Sequence, residues 1–301
     1  MNYKNLLPNR ETRLKILNAS PLPDKLSLQI MFRIRMHQKL DLKNPKTFNE
    51  KLQWIKLYDR RPEYVQMVDK LRVREYIAEK IGEEHLIPLL GHWDRYEDID
   101  FSKLPDAFVL KCNHDSGSVK IVRDKAAIDH AAFREFFDTR LRENPYKYGR
   151  EWPYKHVKPC IIAEKLMEDS AGKGDLTDYK IHCFSGEPKA VQVMSDRFSP
   201  DGVKSDYYTL DWKNYGLRRG EMQNADYVAP RPEQLPELIE LARKLAQGIP
   251  YVRTDFYVID GAVYFGEITF FPASGFNPFT PDKWDRIFGD WIQLPEKKTL
   301  G

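Results

Sequence analysis

Over the first hundred residues apolar side chains recur at helical spacing between charged ones. Thr47-Phe48-Asn49-Glu50 has the spacing of a capping box, and Phe48, Leu52 and Ile55 continue along one helical face, so a helix starts there. Val65, Val68 and Leu71 recur every third residue and predict a second helix over 63–81, with Gly82 as its stop. From His85 the texture changes to short apolar runs separated by Gly, Pro, Asn and Asp: HLIPLL, AFVLKC and VKIV. A helix starting near Asp129 follows, with Phe133, Phe136, Phe137 and Leu141 as its apolar positions, and then CIIAEKL, YKIHCF and AVQVM. SGEP marks a turn between the last two. A helix over 233–247 precedes the final pair of runs, YVRTDFYVI and AVYFGEI, joined by Asp260-Gly261, a dipeptide suited to the φ > 0 positions of a tight hairpin. Hairpins thus replace crossover helices in the second half, and the pattern is that of an α+β chain without internal repeats.

A length of 301 residues predicts two domains or one core with a large appendage, and 42% hydrophobic residues suffice to bury one. No apolar run is long enough to span a membrane, and the start MNYKNLLPNRETR lacks the apolar stretch of a signal peptide, so a cytoplasmic location is expected. Cys112, Cys160 and Cys183 are odd in number and have no C-x-x-C spacing, which argues against a disulfide framework or a four-cysteine zinc site and for core thiols. Residues 1–60 carry 13 Lys and Arg against 5 Asp and Glu, so the positive charge is concentrated in an N-terminal arm that includes LSLQIMFRIRMHQKLDLK. Such an arm suits nucleic acid, an anionic membrane face or an acidic polymer, although a charge run is usually a solvated face.

Three segments suggest nucleotide chemistry. Phe108-Val109-Leu110-Lys111 leads into Asn113-His114-Asp115-Ser116-Gly117-Ser118, a small polar loop whose N–H and hydroxyl groups can face phosphate oxygens beside a lysine charge. Neither G-x-x-x-x-G-K-[ST] nor G-x-G-x-x-G occurs, which weighs against P-loop and Rossmann readings. In the last hairpin a three-residue loop puts Asp255 opposite Glu267, whereas a strict two-residue turn puts them on opposite faces unless a bulge shifts the register. Two facing carboxylates suit Mg²⁺; the structural alternative pairs them with Arg253 or lysines. Finally, Ile161-Ile162-Ala163-Glu164-Lys165-Leu166 runs into a loop with Gly172 and Gly174, and Asp178-Tyr179-Lys180 opens another strand; a surface salt bridge explains these residues equally well.

In this order the segments resemble the TupA-like branch of the ATP-grasp superfamily, which is associated with bacterial surface-polysaccharide and teichuronopeptide gene products. The resemblance runs through NPKTFNEKLQWIKLYDR, DKLRVREYI, FVLKCNHDSGS, IIAEKL, DYKIHCFSGEPK and RTDFYVIDGAVYFGEITFFPASGF. It implies two α+β subdomains holding ATP between them: a helical, basic region over 1–105, a central subdomain over 106–163 and a C-terminal subdomain over 164–295. It further implies ATP and Mg²⁺ as cofactors and amide formation through an acylphosphate. Lys111 and Lys180 would contact phosphates, residues 113–118 would form the phosphate loop, and Glu164, Lys165 and Leu166 the adenine hinge. Asp255 and Glu267 would hold the metal, with Arg253 stabilising the transferring group. Where well-known members carry Asn two residues after the metal-binding Glu, this chain has Thr269, whose hydroxyl or a water would complete the metal site. The loop at 113–118 is also poorer in glycine than the usual fingerprint.

The resemblance also implies the substrates: an amine, such as an amino acid, and the carboxylate of a uronic-acid-containing glycan or its precursor, with nucleic acid not expected. Arg197, Ser274 and Gly275 are the substrate-binding expectations, and Tyr207-Tyr208-Thr209-Leu210-Asp211-Trp212 offers a sugar-stacking face or core packing. The basic arm would keep an acidic polymer or lipid-linked precursor at the inner membrane face. A glycosyltransferase using Asp98-Ile99-Asp100 as a metal-binding D-x-D is the rival enzyme reading, and a non-catalytic nucleotide or glycan binder is the other.

Overall fold

A computed structural model describes residues 9–170, 176–196 and 202–297. Among the described residues five helices come first: α1 (Arg10–Ala19), α2 (Asp24–Arg35), α3 (Phe48–Tyr58), α4 (Glu63–Val68) and α5 (Val73–Ile81). The capping box at α3 is complete, with Thr47 accepting from the Glu50 backbone and Glu50 reaching back. The single helix expected over 63–81 is instead two. Asp69 breaks it, because its carboxylate accepts the N–H groups of Leu71 and Arg72 at 2.9 and 3.3 Å. The same oxygen accepts the Asn113 side chain from the distant loop at 2.9 Å, a demand that periodicity does not register.

A four-stranded antiparallel sheet has the order β1 (Leu89–Trp93), β4 (Ile161–Lys165), β2 (Phe108–Cys112), β3 (Val119–Val122), and is backed by α6 (His130–Arg142), whose N-cap is Asp129. The short α7 (Tyr146–Gly149) lies between α6 and β4. A five-stranded antiparallel sheet combines β5 (Asp178–Phe184), β6 (Glu187–Ser195), β7 (Lys204–Tyr208), β9 (Tyr251–Ile259) and β10 (Ala262–Thr269), in the order β10-β9-β5-β6-β7. The ribbon of β8 (Arg218–Arg219) with β11 (Phe279–Thr280), and the helices α8 (Leu235–Ala246) and α9 (Lys283–Asp290), complete the fold.

These contacts move the expected boundaries. β1 belongs to the four-stranded sheet, which therefore begins at residue 89 rather than 106, and β4 runs unbroken through the boundary placed at 163–164. Residues 1–105 are not a separate region either. Phe48 of α3 packs edge-on against Tyr251, Phe279 and Phe288 at 4.8 to 6.0 Å, and Ile77 and Ile81 of α5 share the core of the five-stranded sheet and α8. Truncating a ring so placed costs about 3–5 kcal/mol. α1 and α2 form a smaller cluster with Leu57 of α3, in which Leu28, Met31 and Phe32 close over Phe276. The three cysteines are buried free thiols. Among the described residues no helix is long and apolar enough to cross a membrane.

Candidate active site

The site is built on the β9–β10 hairpin. Its turn is the two residues Asp260 and Gly261, at φ 50° and 79°, the left-handed pair that a tight hairpin loop requires. With that turn alone Glu267 would pair with Thr254 and face away from Asp255. A bulge between Phe265 and Glu267 inserts Gly266 and restores Asp255 opposite Glu267, with Arg253 opposite Thr269. Gly266 suits this place because a Cβ there would meet the Asp255 carbonyl oxygen at 3.1 Å and the Tyr257 ring at 3.2 Å. On the other side of β9, Lys180 of β5 is in register with Asp255, so a cation and two carboxylates form one row across three strands.

Arg253 ties the row together. Its Nε donates to Asp255 Oδ1 at 2.7 Å, and its Nη2 donates to Asp255 Oδ2, Glu267 Oε1 and Thr269 Oγ1 at 2.8, 3.0 and 3.1 Å. Lys180 pairs with Asp255 as well and lies 3.5 Å from Asp178. Burial opposes charge on Arg253, but Asp255 and then Glu267 outweigh it and raise its affinity for the proton. Three hard oxygens, from two carboxylates and a hydroxyl, thus converge on one cationic nitrogen. That donor set is the kind Mg²⁺ takes from protein when phosphates supply its remaining ligands. Asp255, Glu267 and Thr269 are the residues that would hold the ion, with Arg253 yielding its place. Among the described residues no cluster of three or more His, Cys, Asp and Glu exists, so such an ion would depend on oxygens from its substrate.

The facing wall comes from the four-stranded sheet. Lys111 Nζ lies 2.6 Å from Glu164 Oε2, and Arg74 of α5 is 3.7 Å from the other carboxylate oxygen. Glu164, expected at the adenine hinge, is buried and held by these two cations; Lys165 is exposed, and its N–H donates to the Pro88 carbonyl at 3.0 Å. Lys70 joins the two walls. It donates to the Asp115 carbonyl, and burial lowers its proton affinity despite electrostatic contact with Glu267. Lys70 and Arg74 are site residues that the sequence pattern does not single out. The signal available was two cations four residues apart in DKLRVREYI.

The loop over 113–118 departs from expectation. Asn113 spends both amide hydrogens on Asp69 and the Lys158 carbonyl, and accepts from the Cys160 N–H, so it anchors the loop instead of facing the cleft. His114 is buried, with burial lowering its proton affinity, and Ser118 donates to the Asp115 carboxylate. Only Ser116 and Gly117 are exposed, at the loop tip.

Ser274 and Gly275 sit in a turn after β10 where Ala273 and Ser274 both have left-handed backbone, at φ 51° and 53°. Lys56 of α3, buried, donates to the carbonyls of Ser274 and Gly149 at 2.7 and 2.8 Å and to Gln53 Oε1 at 2.9 Å. Gln53 donates to the Gly275 carbonyl at 2.8 Å, and the Ser274 hydroxyl donates to Glu151. Burial pushes Lys56 down to about 7 and Glu151 up, each opposed by the other's charge. The Ser274 hydroxyl hydrogen is thus engaged within the protein. Tyr207 and Tyr208 do not form a sugar-stacking face: both are buried, and Trp212 stacks on Tyr208 at 4.7 Å with its indole N–H on the Ala229 carbonyl. Asp98 and Asp100 lie on the surface and pair locally, with Arg95 at 2.6 Å and Lys103 at 3.0 Å. Arg197, Gly172 and Gly174 lie outside the described residues.

Comparison with known proteins falls in with this arrangement. The sequence matches the family described as TupA-like ATPgrasp over residues 50–293. The chain belongs to the TupA-like ATP-grasp family, and its fold is the α+β ATP-grasp architecture. Among solved structures it is similar to D-alanine–D-alanine ligase from Bacillus anthracis, with 18% identity over 68% of this chain and 57% of that one and a TM-score of 0.40. It is similar to the corresponding ligase from Helicobacter pylori, with 14% identity, 83% and 70% coverage and a TM-score of 0.41. A RimK domain ATP-grasp protein from Sphaerobacter thermophilus shows 11% identity, 78% and 70% coverage and a TM-score of 0.41. The chain therefore spans little more than half of the length of the first of these ligases. Comparison with curated proteins yields no match.

Proposed function

We propose that this protein is an ATP-dependent, ADP-forming ligase that joins a carboxylate to an amine, with an amino acid as amine and a uronic acid carboxylate of a surface polysaccharide or its precursor as acceptor. Family membership supports the use of ATP. The observation that carries the reading is the convergence of Asp255, Glu267 and Thr269 on Arg253 Nη2, with Lys180, Lys70 and Lys111 close by. Phosphoryl transfer to a carboxylate crowds anions together, so its demand is charge neutralisation and alignment rather than a side-chain nucleophile. Mg²⁺, when bound by the two carboxylates, supplies part of that neutralisation. Lys111 from one wall, Lys180 from the other and Lys70 between them are the cations at hand, and Arg253, kept protonated by its neighbours, suits the transferring phosphoryl or the tetrahedral centre that follows. No step asks for a thiolate, and burial raises the proton affinity of all three cysteines.

The test is a screen of uronic acid and amino acid pairs for ADP release with MgATP. The reading expects ADP and an amide only when both partners are present. AMP as product, or consumption of a nucleotide sugar without ATP turnover, would reject it.

A further inference from the structure

Glu151 and Tyr154 lie beside the site and have no part in the phosphoryl chemistry described above. They belong to one segment, in which Glu151 immediately precedes the short 3₁₀ stretch Trp152–His156. Trp152 anchors that stretch in the core against Tyr64, with ring centroids 6.4 Å apart. Two contacts fasten the segment to the turn after β10. Lys56 bridges the carbonyls of Gly149 and Ser274, and the Ser274 hydroxyl donates to Glu151 Oε1. A Cβ at Gly149 would collide with the Ser274 side chain, so glycine permits this close approach.

Both residues are half-buried. The second Glu151 oxygen and the Tyr154 hydroxyl have no hydrogen-bond partner among the described residues, and neither is sealed from solvent. Tyr154 feels the charges of Glu151, of Glu267 on β10, of Arg253 on β9 and of Asp115 in the loop of the opposite wall. Glu151 in turn feels Glu267. The two side chains are thus placed between the facing carboxylates and the other wall.

Glu151 differs from the carboxylates already assigned. Asp255, Glu267 and Glu164 each touch an arginine or lysine, at 2.7, 3.0 and 2.6 Å. Among the described residues Glu151 has no cation in ion-pair contact. It feels only the field of Lys56, whose ammonium donates to Gln53 and two carbonyls instead. This carboxylate is free to receive a cation from outside.

We propose that Glu151 is the proton acceptor for the amine substrate, holding its ammonium group together with the Tyr154 hydroxyl beside the acylphosphate. The inference rests on the ligase reading above, and the ligand class is a primary amine that arrives charged. An ammonium has no lone pair with which to attack, so a base must first remove a proton. One proton passes to the Glu151 carboxylate, and the freed nitrogen pair forms the C–N bond at the carbonyl carbon. The C–O bond to phosphate then breaks, and phosphate leaves with that electron pair and the second nitrogen proton. Glu151 returns its own proton to water. Burial raises the proton affinity of Glu151 against the charge of Lys56 and the Ser274 hydrogen bond, which suits a base working near neutral pH.

The test supplies the full chain with MgATP, galacturonate or glucuronate, and one of two nucleophiles. The first is the amino acid that supports ADP release. The second is hydroxylamine, which is uncharged at neutral pH and captures an acylphosphate as a hydroxamate without a base. Glu151→Gln keeps an acceptor for the Ser274 hydroxyl. At pH 7 it should lower amide formation from the amino acid by at least about 100-fold and leave hydroxamate formation within about threefold. The deficit should shrink as pH rises and free amine becomes abundant, a behaviour that a purely structural role does not give. Tyr154→Phe should raise the KM for the amino acid about tenfold and leave that for ATP unchanged. Equal losses with both nucleophiles, undiminished amide formation in Glu151→Gln, or a deficit independent of pH would overturn the proposal. A wild type that forms neither hydroxamate nor ADP would refute the ligase reading itself, and this inference with it.

Discussion

Asp255 and Glu267 face each other because the stretch from the turn to Glu267, 262–267, has one residue more than the stretch from Asp255 to the turn, 255–259. The extra residue is Gly266, and without its bulge the tight turn at Asp260-Gly261 would set the two carboxylates on opposite faces of the sheet. The pair shares one nitrogen of Arg253 at 2.8 and 3.0 Å. A register defect thus creates the acidic pair, and the neighbouring arginine bonds both of its members.

Deleting Gly266 should therefore abolish turnover while leaving the five-stranded sheet formed. The check is ADP release alongside far-ultraviolet circular dichroism. Retained turnover would show that Glu267 need not face Asp255.

Glu267→Gln should reduce turnover by at least about 100-fold with little loss of stability, because Glu267 is the half-exposed member of the pair. Asp255→Asn should be equally inactive but also less stable, by about 3 kcal/mol, because it strips a buried partner from both Arg253 and Lys180. Chemical denaturation of the two variants distinguishes these outcomes.

Parts of this arrangement are legible in the residues and parts are not. Signals confined to neighbours in sequence read correctly: the capping box at Thr47, the Asp129 helix with its phenylalanines and the Asp260-Gly261 turn. The carboxylate pair was legible only as alternatives, since nothing local announces a bulge. What fails are residues whose partners are far along the chain. Asp69 breaks a helix for Asn113, 44 positions away, and Lys56 reaches Ser274 across 218. Tyr207 and Tyr208 look the same in sequence whether they stack on a sugar or, as here, are buried.

Lys70→Met should weaken binding of an ATP analogue by about tenfold, the effect of one lost charge-assisted contact. Stability should not fall, because burial already disfavours that ammonium. Calorimetric titration and a thermal melt report both quantities.

Lys56 gives a pH signature. Its affinity for a proton is lower folded, at about 7, than at the ordinary 10.5, so between these values the unfolded chain binds more protons. The Lys56 contribution to stability is therefore greatest above the upper value and is lost as pH falls toward 7. The stability of wild type relative to Lys56→Met should rise by about 2 kcal/mol between pH 7 and pH 9. Parallel denaturant titrations at the two pH values measure it, and a flat difference would contradict the burial argument.

The most direct test of the account is the dependence of nucleotide binding on Mg²⁺ in wild type and in Glu267→Gln. With a non-hydrolysable ATP analogue, Mg²⁺ should tighten binding to the wild type by at least about tenfold and to the variant by less than about twofold. The same gain in both proteins would contradict the claim that Asp255 and Glu267 together hold the ion.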